Sequence, residues 1–207
     1  MIIKETLEKS TLPVMEAFYT LQGEGSHSGR AAYFIRLGGC DVGCVWCDVK
    51  DSWDADAHPK VSLAKIIADA AENPARLAVI TGGEPLMYNL DELTAGLKAE
   101  GFETNIETSG AHPLTGQWDW ICFSPKKFKE PLPELYKKAH ELKIIVFNKS
   151  DFKFAEKFAE LVNPECKLYL QTEWDKQKEM LPLIIDYIKA NPKWRISVQT
   201  HKHLNIP

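Results

Sequence analysis

Short apolar runs alternate with amphipathic stretches through most of this chain, and that alternation limits its fold more than any other feature. Ala31–Leu37, Leu77–Thr81, Phe102–Thr108, Trp118–Phe123, Leu142–Phe147, Lys167–Gln171 and Arg195–Thr200 have the length and content of buried strands. Between them lie helical patterns. Leu63, Ile66, Ile67 and Ala70 recur at helical spacing behind Ser62, a residue suited to capping, and Phe154, Phe158 and Leu161 recur the same way. Asp91–Glu100 runs into Gly101, a helix stop, and Leu181–Ala190 carries Pro182 in what reads as its first turn. Alternating strands and helices predict a mostly parallel sheet with right-handed crossovers. A complete eight-unit barrel typically takes about 250 residues. With 207 residues and tight connections, the expected α/β fold is an incomplete, splayed (β/α) barrel, with residues 1–207 forming one domain. Ligands in such folds sit beyond the carboxyl ends of the strands, so those ends are where chemistry is expected.

Bulk properties exclude several classes. A hydrophobic content of 44% suits a sizeable core, and a net charge of −4 with pI near 5.9 makes no case for binding nucleic acid or a membrane surface. No apolar run approaches the roughly 18 residues of a membrane span. Met1–Ser10 has no apolar stretch of the kind a secretory leader carries. The expectation is a cytoplasmic protein whose thiols stay reduced, so its five cysteines read as metal ligands or core residues. Cys122 and Cys166, alone in apolar runs, read as core. Trp118, Trp120 and Trp194 also read as core, and Lys126, Lys127, Lys137 and Lys138 as solvated faces.

Cys40, Cys44 and Cys47 are different. They follow the strand-like Ala31–Leu37 inside Gly38-Gly39-Cys40-Asp41-Val42-Gly43-Cys44-Val45-Trp46-Cys47-Asp48, where the glycines permit a wrapped backbone. Cubic iron–sulfur clusters usually take four thiolates at such short spacings. Three thiolates leave one iron open, and by analogy with zinc an open position is where substrate binds. The alternative is a zinc site completed by His27, Cys122 or Cys166, although the distant second ligand pair that zinc sites favour is missing. A second strand end carries Thr81-Gly82-Gly83-Glu84-Pro85, where a glycine pair lets a ligand approach the backbone and a carboxylate can accept from an ammonium.

The C-x3-C-x2-C spacing with Trp46 before the last cysteine, together with the Gly-Gly-Glu-Pro turn, resembles the radical S-adenosylmethionine (SAM) superfamily. The resemblance implies a 4Fe-4S cluster on Cys40, Cys44 and Cys47. Its open iron would bind SAM and, on reduction, release a 5′-deoxyadenosyl radical. Glu84 would receive the methionyl amino group.

Further segments resemble one family within it, the 7-carboxy-7-deazaguanine synthases. They are Glu16–Gly25, Gly29-Arg30, Phe34-Ile35-Arg36, Glu107-Thr108-Ser109-Gly110, Ser124-Pro125-Lys126, Glu141-Leu142-Lys143 and the end Gln199–Pro207. This likeness implies ring contraction of 6-carboxy-5,6,7,8-tetrahydropterin to 7-carboxy-7-deazaguanine with loss of ammonia, begun by abstraction of hydrogen from C6. It places substrate against Leu21, Gln22, Gly23, Glu24, Arg36, Thr81, Glu107, His201 and the carboxylate of Pro207. It places cofactor against Trp46, Cys47, Asp48, Gly83, Glu84, Ser124, Pro125, Lys126 and Gln171. Arg36 suits the substrate carboxylate, since a guanidinium binds carboxylates in a fork. A small-molecule substrate, a flavodoxin or ferredoxin electron donor, a homodimer and no nucleic acid partner are also implied. One departure concerns Mg²⁺. The family carries Cys-Asp-Thr where this chain has Cys47-Asp48-Val49, and valine offers Mg²⁺ no oxygen. The ion is then held by substrate, water and Asp48, or is absent, with Lys50 a candidate for the missing charge. A glycyl-radical-enzyme activase shares the cysteine spacing but leaves Gln22–Gly25 and Gln199–Pro207 unexplained.

Overall fold

The structure, a computed structural model, describes residues 2–207, with side chains from Thr6 onward. Of the segment read for a leader, Met1 lies outside the described residues; Ile2–Lys9 forms α1. The strands are β1 (Thr11–Leu21), β2 (Ala31–Leu37), β3 (Lys60–Ser62), β4 (Leu77–Gly82), β5 (Glu103–Thr108), β6 (Trp120–Phe123), β7 (Glu141–Val146), β8 (Lys167–Thr172) and β9 (Trp194–Ser197). The helices that follow are α2 (Leu63–Ala71), α3 (Asp91–Ala99), α4 (Glu134–Lys138), α5 (Ser150–Ala159), α6 (Gln177–Ala190) and α7 (Thr200–Leu204). All nine strands join one open sheet in the order β3-β1-β2-β4-β5-β6-β7-β8-β9. β2 and β4 to β9 are parallel; β1 runs antiparallel to both β2 and β3. The sheet is mostly parallel and not closed, in line with the expected splayed barrel.

The two-residue period of the strands divides the sheet into two chemically distinct faces. One face carries Tyr33, Ile35, Leu37, Ala78, Ile80, Ile106, Leu142, Ile144 and Leu170, which pack with Leu63, Ile66, Leu93, Leu97, Phe158 and Ile184 of the covering helices. On the other face the first strands are apolar, with Ala32, Phe34, Leu77 and Val79 in a second cluster. Further along, the alternate positions turn polar: Asn105 and Glu107, Glu141 and Lys143, then Gln171, all in the sheet. The segment after β1 spans this face. Gly25 N donates to Ser197 Oγ at 3.0 Å, Ser26 N to Glu141 Oε2 at 2.9 Å and Thr200 N to Gly23 O at 3.0 Å. These bonds draw the β1–β2 connection against β7 and β9 and curve the sheet around its polar face.

Local signals explain most boundaries. Ser62 Oγ accepts from Lys65 N at 3.3 Å and starts α2, and Gly101, with φ of +81°, ends α3. Cys122 and Cys166 are buried, as expected. Some expectations need correction. The last strand stops at Ser197, because Thr200 turns to bond Gly23 and opens α7. Leu161 lies beyond α5 and is 44% exposed. Pro182 is interior to α6, not in its first turn, because the helix begins at Gln177 behind a turn in which Glu173 caps Lys176 N at 3.1 Å. Trp194 is core and Trp118 packs against it, but Trp120 sits on the polar face between His27 and His140, with ring centroids 4.6 and 5.1 Å away. No described helix is long and apolar enough to cross a membrane.

Candidate active site

The carboxyl ends of β2, β4, β5, β6, β7 and β8, with the chain's last residues, surround one cavity of about 260 Å³. Its wall on one side is the cysteine loop. Gly39 N donates to Ser52 O at 2.7 Å and Cys40 N to Trp53 O at 3.1 Å, which fixes the loop to the turn that follows it. Asp41 accepts from Lys129 at 2.5 Å and His112 at 3.0 Å, tying the loop to the connections after β5 and β6. Val42, Cys44 and Ala111 form a small apolar cluster with Cys40, Trp46 and Cys47 against it.

Burial raises the Cys40 thiol, opposed by the amides of Val42 and Gly43, which point at its sulfur. Burial also pushes Cys44 up to about 11, against the pull of Lys126. Among the described residues no three His, Cys, Asp or Glu side chains converge as a single metal ion requires. A tetrahedral zinc would draw thiolates within about 4 Å of one another. Three thiols spaced around a loop, with amide donors and apolar surroundings, instead fit a cluster in which each binds its own iron. The zinc alternative is not supported: Cys166 lies at the opposite end of the sheet and His27 is committed to Asn105 at 2.7 Å.

The Gly-Gly-Glu-Pro turn is locked to this loop. Gly83 N donates to Leu37 O and Glu84 N to Gly39 O, both at 2.9 Å. Glu84 is 1% exposed and its carboxylate is fully engaged. It accepts from Leu86 N (3.1 Å), Thr108 Oγ1 (2.5 Å), Ser109 N (2.8 Å) and Ser109 Oγ (2.5 Å). The carboxylate therefore staples the turn to the end of β5, its oxygens already taken by donors of the protein itself.

Across the cavity a polar floor forms from the alternate residues of β5 and β7. Lys143, 4% exposed, donates to Glu24 Oε2 and, at 3.1 Å, to Glu107 Oε2. Gln22 Nε2 donates to Glu107 Oε1 at 3.0 Å, while Gln22 Oε1 accepts from Glu24 N at 3.0 Å. Gln199 Nε2 donates to Glu24 Oε1 at 3.0 Å. Burial alone would raise Glu24, but the Lys143 ammonium and hydrogen bonds from Lys143, Gln199 and Gln171 hold its carboxyl down to about 2. Burial likewise works against the Lys143 ammonium, yet Cys122, Glu107 and Glu24 hold it well above the ordinary lysine value.

The remaining wall comes from both ends of the chain. Arg36 Nε donates to Glu16 Oε1 at 2.6 Å, so the expected carboxylate fork is already half-committed; its two terminal nitrogens keep no partner among the described residues. Gly23 backs onto His201: a Cβ there would lie 2.2 Å from His201 Nδ1, so only glycine admits the ring. Burial lowers the His201 imidazole. Thr20 Oγ1 donates to the main-chain oxygen of Pro207 at 3.3 Å, bringing the last residue to the cavity.

Nearly every residue singled out from sequence lines this cavity, including Leu21, Thr81, Trp46, Cys47, Asp48, Ser124 and Gln171. Pro125 does not; it is buried behind Ser124. Lys126 is no solvated face: its ammonium folds back onto Ser124 O at 2.5 Å and Oγ at 2.6 Å, and burial lowers its pKa. Sequence reasoning passed over Lys143 as a cavity residue. A lysine flanked by Leu142 and Ile144 in a strand was the available signal, because its side chain must point to the face opposite theirs. It also passed over Phe18, whose ring stacks on Phe34 at 5.4 Å, and Gln199.

The Mg²⁺ question has a structural side. Val49 and Asp48 both line the cavity, but Asp48 Oδ2 is taken by Lys202 Nζ at 2.9 Å. Lys50, the expected source of compensating charge, instead lies 6.0 Å over the Trp53 ring. A valine side chain and a carboxylate already neutralised by an ammonium do not fit a protein-held Mg²⁺, which demands oxygen ligands.

An open-iron cluster loop, a glycine turn at the next strand and a cavity at the strand ends define a radical SAM enzyme, a class that works with a 4Fe-4S cluster and SAM. Residues 34–148 match the radical SAM superfamily. Within that superfamily the chain belongs to the 7-carboxy-7-deazaguanine synthase family. It is 59% identical to the 7-carboxy-7-deazaguanine synthase of Flavobacterium psychrophilum, covering 95% of this chain and 93% of that one. It is 46% identical to the synthase of Synechocystis sp., covering 94% and 93%. The crystal structure of QueE from Escherichia coli superposes with a TM-score of 0.85 at 32% identity, covering 96% of this chain and 98% of that one.

Proposed function

We propose that this enzyme is a lyase that contracts the ring of 6-carboxy-5,6,7,8-tetrahydropterin to 7-carboxy-7-deazaguanine with loss of ammonia, a step toward deazapurine nucleosides. The observation that carries the reading is a single cavity uniting the cysteine loop, the anionic floor of Glu24 and Glu107, the Arg36 cation and the Pro207 end. Cys40, Cys44 and Cys47 would hold the cluster, which with SAM would supply the radical chemistry for hydrogen abstraction at C6 of the pterin.

The chain's own residues do the rest. Trp46, Asp48, Gly83, Ser124, Lys126 and Gln171 surround the cofactor. Glu107 and the Pro207 carboxylate accept from the amino and ring N–H donors of the pterin, a match of acceptor-only groups to donors. The terminal nitrogens of Arg36 take the substrate carboxylate, with Glu16 orienting the guanidinium from behind. Gln22 and His201 add hydrogen bonds, and the glycine at position 23 lets the imidazole approach. Lys202 on Asp48 supports turnover without a protein-bound Mg²⁺. A flavodoxin or ferredoxin would supply the electron, and the chain would act in the cytoplasm as a single domain within a homodimer.

The test is anaerobic reconstitution followed by reduction with SAM and the carboxytetrahydropterin. The expected result is 7-carboxy-7-deazaguanine and ammonia. SAM cleavage without that product refutes the substrate and favours an activase; no SAM cleavage by a cluster-loaded protein refutes the class of chemistry.

A further inference from the structure

The polar floor poses a problem of charge that the substrate contacts alone do not resolve. Glu24 and Glu107 face each other across one ammonium, and no water is needed to link them: Lys143 Nζ bonds both. Two carboxylates this close in a partly desolvated cavity cannot both stay ionised without a cation between them, because like charges disfavour the charged form. Lys143 is the cation, and it is rooted in the sheet. It belongs to β7, its neighbours Leu142 and Ile144 are locked in the helix-side core, and its side chain is 4% exposed. An ammonium carries three donors, and two of them are spent on the carboxylates. The triad therefore has a net charge of −1 and a fixed geometry, with Gln22 gripping the other oxygen of Glu107.

We propose that Lys143 is a positioning residue for the ring contraction: together with Gln22 it holds the Glu107 carboxylate aimed into the cavity and balances the charge between Glu24 and Glu107, so that Glu107 can read the N–H donors of a substrate heterocycle. The inference rests on the functional reading above and names the group that makes its anionic floor workable. Glu24 is the second anchor, held by Gln199 from the other side, and serves to fix the ammonium. The neighbours that bear on the titration are Cys122 of β6 and Glu141 of β7, which lie behind the triad. Gln171 of β8 lies beside Glu24, His201 of α7 faces both carboxylates, and Lys126 follows β6.

Removing the ammonium while keeping the bulk, Lys143→Met, leaves two adjacent carboxylates with no cation between them, so that sharing a proton becomes easier than in wild type. In the reconstituted enzyme, KM for the carboxytetrahydropterin is expected to rise at least tenfold. The acid limb of kcat/KM should move up by a pH unit or more. Reductive SAM cleavage in the absence of pterin should stay within twofold of wild type. Lys143→Arg, which keeps the charge, should return the pH profile to its original position. Neutralising the second anchor, Glu24→Gln in the Lys143→Met background, should move the acid limb back toward wild type. A merely structural lysine would lower cluster loading and SAM cleavage together and leave the pH profile in place, and that outcome overturns the proposal. So does a Lys143→Met enzyme with wild-type KM and pH profile. If wild-type enzyme cleaves SAM but makes no deazapurine, the functional reading fails first, and the two failures are told apart by that control.

Discussion

Gly83 offers a direct test of whether the cysteine loop and the Gly-Gly-Glu-Pro turn act as one unit. A methyl group built on Gly83 would lie 2.2 Å from Gly39 O, 2.7 Å from Gly39 C and 2.8 Å from Cys40 Cβ. Reaching even a 3.5 Å contact requires a shift of about 1.3 Å, and the two nearest obstructing atoms are backbone. Neither side can yield freely, since Glu84 N bonds Gly39 O and Gly39 N bonds Ser52 O. Gly83→Ala is therefore expected to cost about 1–3 kcal/mol from overpacking, plus about 1 kcal/mol for each hydrogen bond that opens. For a chain of this size that lowers Tm by roughly 5–15 °C. Displacing Cys40 by about 1 Å should also reduce turnover on the order of a hundredfold.

The assay is iron and sulfide per chain after anaerobic reconstitution, with melting temperature and SAM cleavage on the same samples. Gly29→Ala is the control, because Gly29 has a φ of +87° but nothing within 4 Å of the added methyl. It suffers backbone strain of about 1–2 kcal/mol without any clash, and should keep its iron. If Gly83→Ala also keeps full iron, melts with wild type and cleaves SAM normally, the two segments are not mechanically coupled and the argument fails.

Three further outcomes follow from the cavity. Glu24 has a folded-state carboxyl near 2 against an ordinary 4.5, worth about 3 kcal/mol. Because the folded value is depressed, that stability is complete above pH 4.5 and is lost as pH falls toward 2. Glu24→Gln apoprotein should be less stable than wild type at pH 6, and urea melts should bring the two closer together as pH falls toward 2; a gap independent of pH contradicts this origin. Chelation should leave the rate of deazapurine formation unchanged, since Val49 offers Mg²⁺ no side-chain oxygen and Asp48 is already paired with the Lys202 ammonium; a rate that falls on chelation and recovers with Mg²⁺ contradicts it. Extending the chain beyond Pro207 should reduce turnover at least tenfold while sparing SAM cleavage without substrate, and a C-terminally tagged enzyme with full activity removes Pro207 from the substrate site.

What could be read from the residues in advance depended on how local each signal was. The strand Ala31–Leu37 and the Ser62 cap were legible because a run of apolar residues and a hydroxyl before a helix act within a few positions. The start of α6 was not, since the decisive event is Glu173 capping a turn ahead of it, which makes Pro182 an interior residue. β1 escaped notice for a related reason. Its residues Glu16 to Leu21 are mostly exposed or half-buried, so no apolar pattern marks them, and it pairs with β2 through a register shift near Val14.

The site divides along the same line. Residues set in a fixed local motif, such as the three cysteines and Gly83, were visible as spacings. Residues whose meaning is a partner far away in the chain were visible only by resemblance or not at all. Arg36 reads as a free cation until Glu16 is seen on its Nε, and Glu84 reads as a ligand acceptor until Thr108 and Ser109 fill its oxygens. Lys143 reads as a stray charge in an apolar strand until Glu24, 119 positions earlier, closes on it. Arg36 and Glu16 are direct cross-strand partners and Glu84 meets the end of the neighbouring β5, but Glu24 reaches Lys143 only because the β1–β2 connection crosses to β7 and β9. The Glu24 half of the anionic floor thus depends on that crossing, which is why substitutions that relax it, not only those in the cavity wall, should disturb the floor.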